Sequence, residues 1–425
     1  MHGPLRRRGT RALCLLNFFM ADMQAGIGPF LGVFLQQRGW LPGAIGSVMT
    51  AGGVVGMLMT VPAGAFIDHT CRKRLVVIVS GVCTVLASFL VLWSQSALFV
   101  TASQVATAIA GAAIGPAVAA MTLGIVRQKG FNAQNGQNQA WSHAGNLAGA
   151  GLSGWLGFRF GLPAIFVLSA VFGLFAIASV VAIPEKAIDH RAARGLEGAP
   201  RTEAGPSAPA EAQGFRALAR NRPLLVLAAA LAFFHLGNGA MMPLYGLAVV
   251  GAGKGDAASF TALTVMVAQG VMVATALLAT RVAARRGYWL VLLVSFISLP
   301  IRGWIAGSCI DAWGVWPVQA LDGIGAGLQG VAVPGLVAYL LDGTGRVNVG
   351  QGAVMTVQGL GASLSPALGG WLAQWLGYQA AFYILGGFSL CSIALWVAHG
   401  RLLRPACAGT RSPPPLKPSR EALAP

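Results

Sequence analysis

The sequence of 425 residues is apolar and basic, with 56% hydrophobic residues, 10% charged residues and a formal net charge of +17. Its mean hydropathy of +0.68 leaves too few polar side chains to cover a soluble protein of this size, which excludes a globular enzyme in water. The cations lie between apolar segments and are not interleaved with aromatic residues, which excludes a nucleic-acid-binding protein.

Apolar segments recur along the chain at the length of about 20 residues that crosses a bilayer as a helix. We predict an all-α integral membrane protein with transmembrane helices at residues 12–35, 44–66, 75–94, 97–126, 136–157, 163–183, 223–250, 259–281, 288–307, 312–341, 350–372 and 378–398, called spans 1 to 12. Span 1 is expected to be retained rather than cleaved as a signal peptide, because its apolar run is long and contains Asp22.

Arginine and lysine concentrate in every second connection between the predicted spans. The other connections contain only Arg38, Arg159 and Lys254. Because cytoplasmic loops are enriched in these cations, both termini are predicted to be cytoplasmic. We expect a multi-pass, monomeric protein of the bacterial inner (plasma) membrane.

The chain is expected to divide into two bundles of six helices. Residues 1–183 form the first bundle and residues 223–400 the second. Residues 184–222, rich in Ala, Gly and Pro, are predicted to be a cytosolic linker, and residues 401–425 a disordered cytosolic tail.

The two predicted bundles are similar in sequence. Residues 154–168 and 370–385 share Gly-Trp-Leu at an offset of 216, and the same offset places Gly161 on Gly377. The similarity predicts a duplication of six spans, related by an axis along the membrane normal.

Span 1 contains a carboxylate, Asp22, at a predicted depth of roughly 15 Å. A charge near the bilayer centre costs at least about 2.5 kcal/mol, so such a residue is expected to line a cavity or to have a partner. We predict that Asp22 carries protons during a transport cycle. The alternative is a structural carboxylate that is hydrogen-bonded to its neighbours.

The connection between spans 2 and 3 concentrates charge in "GAFIDHTCRKR", residues 64–74. It resembles the signature loop of the major facilitator superfamily, Gly-x-Leu-Ala-Asp-Arg-x-Gly-Arg-Lys-Arg. The residues in matching positions are Gly64, Asp68, Arg72, Lys73 and Arg74, whereas His69 replaces an Arg and Cys71 a Gly. The twelve predicted spans, the linker and the duplication extend the resemblance over the whole chain.

This resemblance implies two pseudo-symmetric six-helix bundles that rock about a site in the middle of the membrane. It also implies that Asp68 and Arg72 belong to a gate that closes the cytoplasmic side. In the alternative interpretation, the cations of this loop only anchor the topology.

Span 5 contains a glycine pattern similar to the Gly-x-x-x-Gly-Pro-x-x-Gly-Gly of antiporters in this superfamily. Ala150 stands at the Pro position, and span 11 has the form with Pro366. The resemblance implies export, but close packing through small residues explains both patterns equally well.

The resemblance further implies that spans 1, 4, 7 and 10 line a central cavity. On span 10, Gln319, Asp322 and Gln329 share one helical face. The predicted substrate-cavity residues are Gln104, Asn146, His235, Asn238, Gln269, Gln329 and Gln358.

Asp322 has two interpretations. Arg302 in span 9 lies at a similar predicted depth, so the two residues can form a buried ion pair. Alternatively, Asp322 is a second proton carrier beside Asp22.

The sequence contains no nucleotide-binding, nucleophile or metalloprotease motif, and we expect no enzyme activity, no metal and no cofactor. The prediction is a secondary active transporter that exchanges a small organic solute for protons and acts as an exporter. Proton-coupled uptake is the close alternative. A membrane sensor or assembly partner with the same fold, which transports nothing, is the alternative of another class.

Overall fold

The computed structural model describes residues 3–25, 27–194, 221–341 and 347–407, and every regular element in these ranges is helical. The helices of the first half are Gly3–Ala25, Ile27–Gln36, Pro42–His69, Lys73–Trp93, Ala97–Ala112, Ile114–Phe160 and Pro163–Ala182. The helices of the second half are Arg222–Asn238, Met241–Gly251, Ala257–Arg286, Tyr288–Ser308, Val315–Leu340, Val347–Ala398 and Gly400–Cys407. Short 3-10 turns occupy Glu185–Ala187, Ala192–Arg194 and Ala312–Gly314.

These helices supply the twelve predicted spans. In the described ranges, nine helical segments are long and apolar enough to cross a membrane. One of them, Val349–Ala398, has 50 residues and contains spans 11 and 12, which meet at Gly377. Spans 1 and 5 are more polar and complete the twelve. The predicted all-α membrane fold is confirmed.

Tryptophans mark one membrane boundary. Trp93, Trp155, Trp304, Trp313 and Trp375 are 62 to 86% exposed. All five lie at span ends on the side opposite the chain termini, which we call the distal side. Tryptophan prefers the interface between lipid and water, so these residues indicate where the distal leaflet ends.

The duplication is visible in the backbone. Span 5 ends at Gly161 with φ 84°, and span 11 ends at Gly377 with the same φ, 216 positions later (377 − 161). Glycine is needed at both because a positive φ is unfavourable for other residues. Span 7 is broken into two helices at Gly239 and Ala240.

The glycines of spans 5 and 11 allow close packing within each half. A Cβ on Gly145 would overlap the backbone of Phe18 in span 1, and a Cβ on Gly361 would overlap that of Ala232 in span 7. The same surfaces therefore meet in both halves. Small-residue packing accounts for the pattern that resembles an antiporter motif, so the pattern by itself gives no direction of transport.

The two halves are in contact on the distal side. Spans 2 and 11 meet at Gly46 and Gly370, whose Cβ positions are occupied by the backbone of Pro366 and Pro42. Hydrogen bonds join the same helices: Ala367 N to Thr50 Oγ1 at 2.9 Å, Trp371 Nε1 to Ser47 Oγ at 3.0 Å and Gly43 N to Gln374 Oε1 at 3.1 Å. Spans 5 and 8 pack in the same way through Gly154 and Ala262.

Toward the termini the halves separate. A Cβ built on Gly136, Gly270, Gly352 or Gly359, which lie in the terminal-side parts of spans 5, 8 and 11, would have no atom within 4 Å. These four positions are therefore not packed against the opposite half, whereas the close contacts between spans 2 and 11 lie on the distal side.

Parts of the predicted linker and tail are ordered helix or turn. The segment after span 6 packs on span 4 through a hydrogen bond from Asp189 N to Gly124 O, 3.0 Å. The segment predicted as a disordered tail begins with the helix Gly400–Cys407, because Leu403 and Cys407 are buried against the second half. Residues 195–220 and 408–425, the rest of both predictions, lie outside the described residues.

Candidate functional site

A buried polar cluster lies in the second half between spans 7, 9 and 10. We call Asn238, Arg302, Gln319 and Asp322 the Arg302 cluster. Arg302 Nη1 donates to Asp322 Oδ1 at 2.7 Å and to Asn238 Oδ1 at 2.6 Å, and Arg302 Nη2 donates to Gln319 Oε1 at 3.0 Å. Asn238 Nδ2 donates to the same Asp322 oxygen at 3.1 Å. The cluster thus joins three helices around one guanidinium.

The helical period explains how these side chains meet. Gln319 and Asp322 are three residues apart on span 10 and share a face, so both reach Arg302 on span 9. The Arg302 side chain is 1% exposed and that of Asp322 is 12% exposed. A guanidinium enclosed to this degree needs a carboxylate partner, because an unpaired buried charge costs about 3–5 kcal/mol.

One oxygen of the Asp322 carboxylate has no hydrogen-bond partner among the described residues. Both contacts of this carboxylate, one with Arg302 and one with Asn238, are made by Oδ1, and within the described residues Oδ2 has no partner. Arg302 Nε and Gln319 Nε2 are enclosed and lack a hydrogen-bond partner, whereas Asp322 Oδ2 is not enclosed. The carboxylate therefore holds Arg302 with one oxygen and presents the other to the accessible side.

His235 extends the polar region by one helical turn. Its Nε2 lies 3.0 Å from Gln329 Oε1, and Gln329 Nε2 donates to Ser295 Oγ at 2.8 Å. Because Gln329 Oε1 can only accept, Nε2 carries the proton and Nδ1 of the neutral ring is an acceptor. This Nδ1 has no hydrogen-bond partner in the part of the chain that the structure describes. His235 Nδ1 on span 7 and Asp322 Oδ2 on span 10 are thus two hydrogen-bond acceptors without a partner among the described residues.

A separate polar contact, between spans 5 and 8, also joins the two halves. His143 Nδ1 in span 5 lies 3.0 Å from Gln269 Oε1 in span 8, beside a groove of about 570 Å³ lined mainly by small and apolar residues of these spans. Sequence analysis placed Gln269 in the cavity but attached no role to His143. The only available signal was the polar run at the start of span 5, in which His143 follows Gln139 by four residues.

The sequence matches the profile of a known protein family over most of its length. The profile of the Major Facilitator Superfamily matches residues 13–366. The chain belongs to this superfamily. The family predicted from the loop between spans 2 and 3 is confirmed. The chain is a secondary transporter rather than an enzyme.

Two relatives in this superfamily are uncharacterized MFS-type transporters of Mycobacterium tuberculosis. MT2531 of strain CDC 1551 / Oshkosh and Rv2456c of strain ATCC 25618 / H37Rv are each 35% identical to this chain over 391 residues, which is 92% of this chain and 92% of theirs. The likeness therefore covers both bundles.

Solved structures share the superfamily fold. The nucleoside transporter NupG has a TM-score of 0.74 and 12% identity, and the match covers 94% of this chain and 100% of NupG. A bacterial homolog of the human lysosomal transporter Spinster, in an inward-facing and unoccupied conformation, has a TM-score of 0.70 and 12% identity over 97% of this chain and 100% of its own. At this identity the likeness shows the fold.

The hydrogen bonds that the structure describes for the superfamily loop between spans 2 and 3 lie within the first half. Asp68 and Arg72 are exposed, and neither side chain makes a hydrogen bond or ion pair with a described residue. Lys73 is buried and donates to Ile67 O and Thr70 O at 2.8 and 2.7 Å. Arg74 donates to Val181 O, 3.0 Å away at the end of span 6. Lys73 and Arg74 therefore satisfy helix-end carbonyls, and the gating role of this loop stays a prediction.

The remaining predicted cavity residues do not join the Arg302 cluster. Gln104 packs its Cβ and backbone on Gly52 of span 2. Asn146 and Gln358 are half-buried. The backbone of Asp22 lies in the helix Gly3–Ala25, whereas its side chain lies outside the described residues. In the described residues no group of three side chains suited to metal binding comes together.

Proposed function

We propose that this transporter exports a small organic solute in exchange for protons, with Asp322 and Asp22 as the proton carriers. The observation that carries the proposal is the half-occupied carboxylate of Asp322, whose Oδ1 holds Arg302 while Oδ2 has no partner among the described residues. The proposed state is a monomer in the bacterial inner membrane with cytoplasmic termini. The side on which the halves are less closely packed is then the cytoplasmic side.

The chemistry of the site favours a solute that donates hydrogen bonds. Asp322 Oδ2 and His235 Nδ1 are both acceptors, and each side chain is hydrogen-bonded to an amide, Asn238 and Gln329 respectively. A solute with N–H or O–H groups can bind them, and so can a proton. Nucleosides carry such groups, and the structural neighbour NupG is a nucleoside transporter. Nucleosides are therefore the first compounds to test.

Competition between the solute and the proton for Asp322 Oδ2 couples the transport of one to the transport of the other. If the solute donates to Asp322 Oδ2, a proton on that oxygen blocks the contact, so the carboxylate carries one of them at a time. Mutually exclusive binding in a two-state transporter produces exchange in opposite directions. With the usual inward proton gradient, exchange means export. The remaining candidate residues, Gln104, Asn146, Gln269 and Gln358, are proposed to contact the solute in other states of the cycle.

The gate is proposed to form when the cytoplasmic side closes. In that state the exposed Asp68 and Arg72 would approach the second half, whereas the distal contacts between spans 2 and 11 would break. Such alternation between two packed arrangements is the expected behaviour of duplicated bundles around a central site.

The test is solute flux into proteoliposomes with an imposed pH gradient. Radiolabelled nucleosides, sugars, amino acids and organic cations are offered to vesicles with an acidic lumen and to vesicles with an acidic exterior. Exchange predicts accumulation only with the acidic lumen. Accumulation only with the acidic exterior would indicate uptake by symport, and binding without flux in either case would indicate a sensor.

The proton carriers are tested by matched variants. Asp322→Asn and Asp22→Asn are expected to abolish accumulation driven by the gradient. Asp311→Asn is the control, because Asp311 lies in a distal loop and pairs with Lys254 at the surface, 3.6 Å away. If all three variants retain the same dependence on the pH gradient, neither Asp322 nor Asp22 couples transport to protons.

A further inference from the structure

A cavity of about 630 Å³ lies outside the transport site, at the terminal side of the first half. The start of span 1, the end of span 4 and the segment after span 6 form its walls. It is lined by three cations, Arg6, Arg127 and Lys186, by the carboxylate of Asp189, and by apolar residues that include Leu5 and Val126. The cavity thus combines positive charge with an apolar wall at the level where spans leave the membrane.

The carboxylate in this cavity is already saturated. Asp189 Oδ1 accepts from the backbone N–H groups of Arg191 and Ala192 at 3.0 and 3.1 Å, and Oδ2 pairs with Arg127 Nη2 at 3.3 Å. These contacts close the turn after span 6 and fasten it to the end of span 4. Asp189 therefore neutralises Arg127, and the other two cations of the cavity have no counter-ion among the described residues.

Arg6 and Lys186 carry the excess positive charge. The described contact of the Arg6 guanidinium is a long hydrogen bond to Val126 O at 3.5 Å. Lys186 is exposed and makes no ion pair with a described residue. Its neighbour Glu185 pairs instead with Arg74, at 3.7 Å. Two cations without carboxylate partners in one cavity are the arrangement that recognises a phosphate group.

We propose that this cavity binds the headgroup of an anionic phospholipid, with its phosphate held by Arg6 and Lys186. The apolar wall distinguishes this ligand from a soluble phosphate. Leu5 is 39% exposed beside Arg6, so an acyl chain that leaves the headgroup can cover it. The site ties the start of span 1 to the segment that leads into the linker between the halves. It does not depend on the direction of transport or on the proton carriers proposed above.

The experiment measures lipid binding to the full-length protein in detergent by native mass spectrometry. The probes are dioleoyl phosphatidylglycerol, dioleoyl phosphatidylcholine and inorganic phosphate. The test variant is Arg6→Gln with Lys186→Gln. The control is Arg8→Gln with Lys129→Gln, which removes two exposed cations from the same side of the first half but outside the cavity.

The wild-type protein is expected to bind phosphatidylglycerol in preference to phosphatidylcholine, and the test variant to bind phosphatidylglycerol about 25-fold more weakly. The affinity of the control variant for phosphatidylglycerol is expected to fall by less than about threefold, because charges beyond the cavity are screened by salt. If the double variant does not fold, Lys186→Gln alone is tested, and its affinity for phosphatidylglycerol is expected to fall about fivefold.

Three outcomes would overturn the proposal. Equal losses in the test variant and the control would mean that the lipid responds to the net charge of the surface. Equal binding of the two lipids would remove the anionic headgroup from recognition. Displacement of phosphatidylglycerol by millimolar inorganic phosphate would mean that the cavity takes a soluble anion.

Discussion

The closed distal side depends on contacts that exclude even a methyl group, and Gly46→Ala tests this dependence. A Cβ on Gly46 would overlap the Pro366 carbonyl oxygen and would lie 2.7 Å from its carbon and 3.2 Å from Ala367 Cα. Carbon atoms in contact are about 3.5–4.0 Å apart, so the distal ends of spans 2 and 11 must separate by about 1 Å. Alanine does not weaken span 2 itself, because it is a better helix former than glycine.

The expected shift follows from the hydrogen bonds beside this contact. Three bonds join the two spans there, from Ala367 N to Thr50, from Trp371 to Ser47 and from Gly43 N to Gln374. At about 1 kcal/mol net for each, their loss removes about 3 kcal/mol from the closed state. This free energy corresponds to a change of about 150-fold in the ratio of closed to open distal side.

The assay is a distance measurement between spin labels in the two halves. Labels on Gln37→Cys and Lys254→Cys, in a background without the native cysteines, report separation across the distal side. Gly46→Ala is expected to add a longer distance to the distribution. The control is Gly359→Ala on span 11, where a Cβ has no atom within 4 Å. The same distribution for Gly46→Ala and for the wild-type protein would show that the backbone contact does not keep the distal side closed.

The Arg302 cluster predicts that Arg302→Met destabilises the protein by about 3–5 kcal/mol, because it leaves a buried carboxylate without its cation. Thermal unfolding in detergent checks this value, and Arg302→Met with Asp322→Asn is expected to regain most of the loss; equal stability of the single and double variants would contradict the ion pair. The contact between His143 and Gln269 predicts a coupling free energy of about 1 kcal/mol between His143→Ala and Gln269→Ala, read from the same spin-label equilibrium, and additive effects would show that the contact is not formed. Burial raises the pKa of the Cys407 thiol to about 12, so at pH 8 its thiolate is scarce and N-ethylmaleimide is expected to label the exposed Cys71 much faster. Similar labelling rates measured by mass spectrometry would show that the helix Gly400–Cys407 is not docked.

The predictions from sequence were strongest where one physical constraint acts on a whole segment. In lipid every backbone N–H and C=O must be bonded within the segment, so an apolar run of sufficient length is a helix. The spans, the all-α fold and the superfamily followed from this constraint and from the loop at residues 64–74. The offset of 216 between Gly161 and Gly377 was also readable, because both turns need a positive φ that glycine supplies.

The predictions were weaker for individual polar side chains. Asp322 and Arg302 were paired by similar depth, but Asn238 and Gln319 as shared partners of the same guanidinium were not foreseen. The resemblance assigns Lys73 and Arg74 to a gate, with an anchoring alternative, and both donate hydrogen bonds to helix-end carbonyls of their own half. His143 was passed over because its partner lies 126 residues away on span 8. Depth along a helix can be counted in residues, but the direction of a side chain around the helix axis depends on its neighbours.

The sequence by itself determined that this chain crosses the membrane repeatedly, that it is built from two similar halves, and that it belongs to a transporter superfamily. Hydropathy and the repeated glycines contain this information, since they act within one segment or between copies of one segment. Only the tertiary structure decided which polar groups meet, that the halves pack closely on the distal side, and that one oxygen of Asp322 has no partner among the described residues. Those features depend on the rotation and tilt of each helix, which are fixed by packing against other helices rather than by the residues of the helix alone.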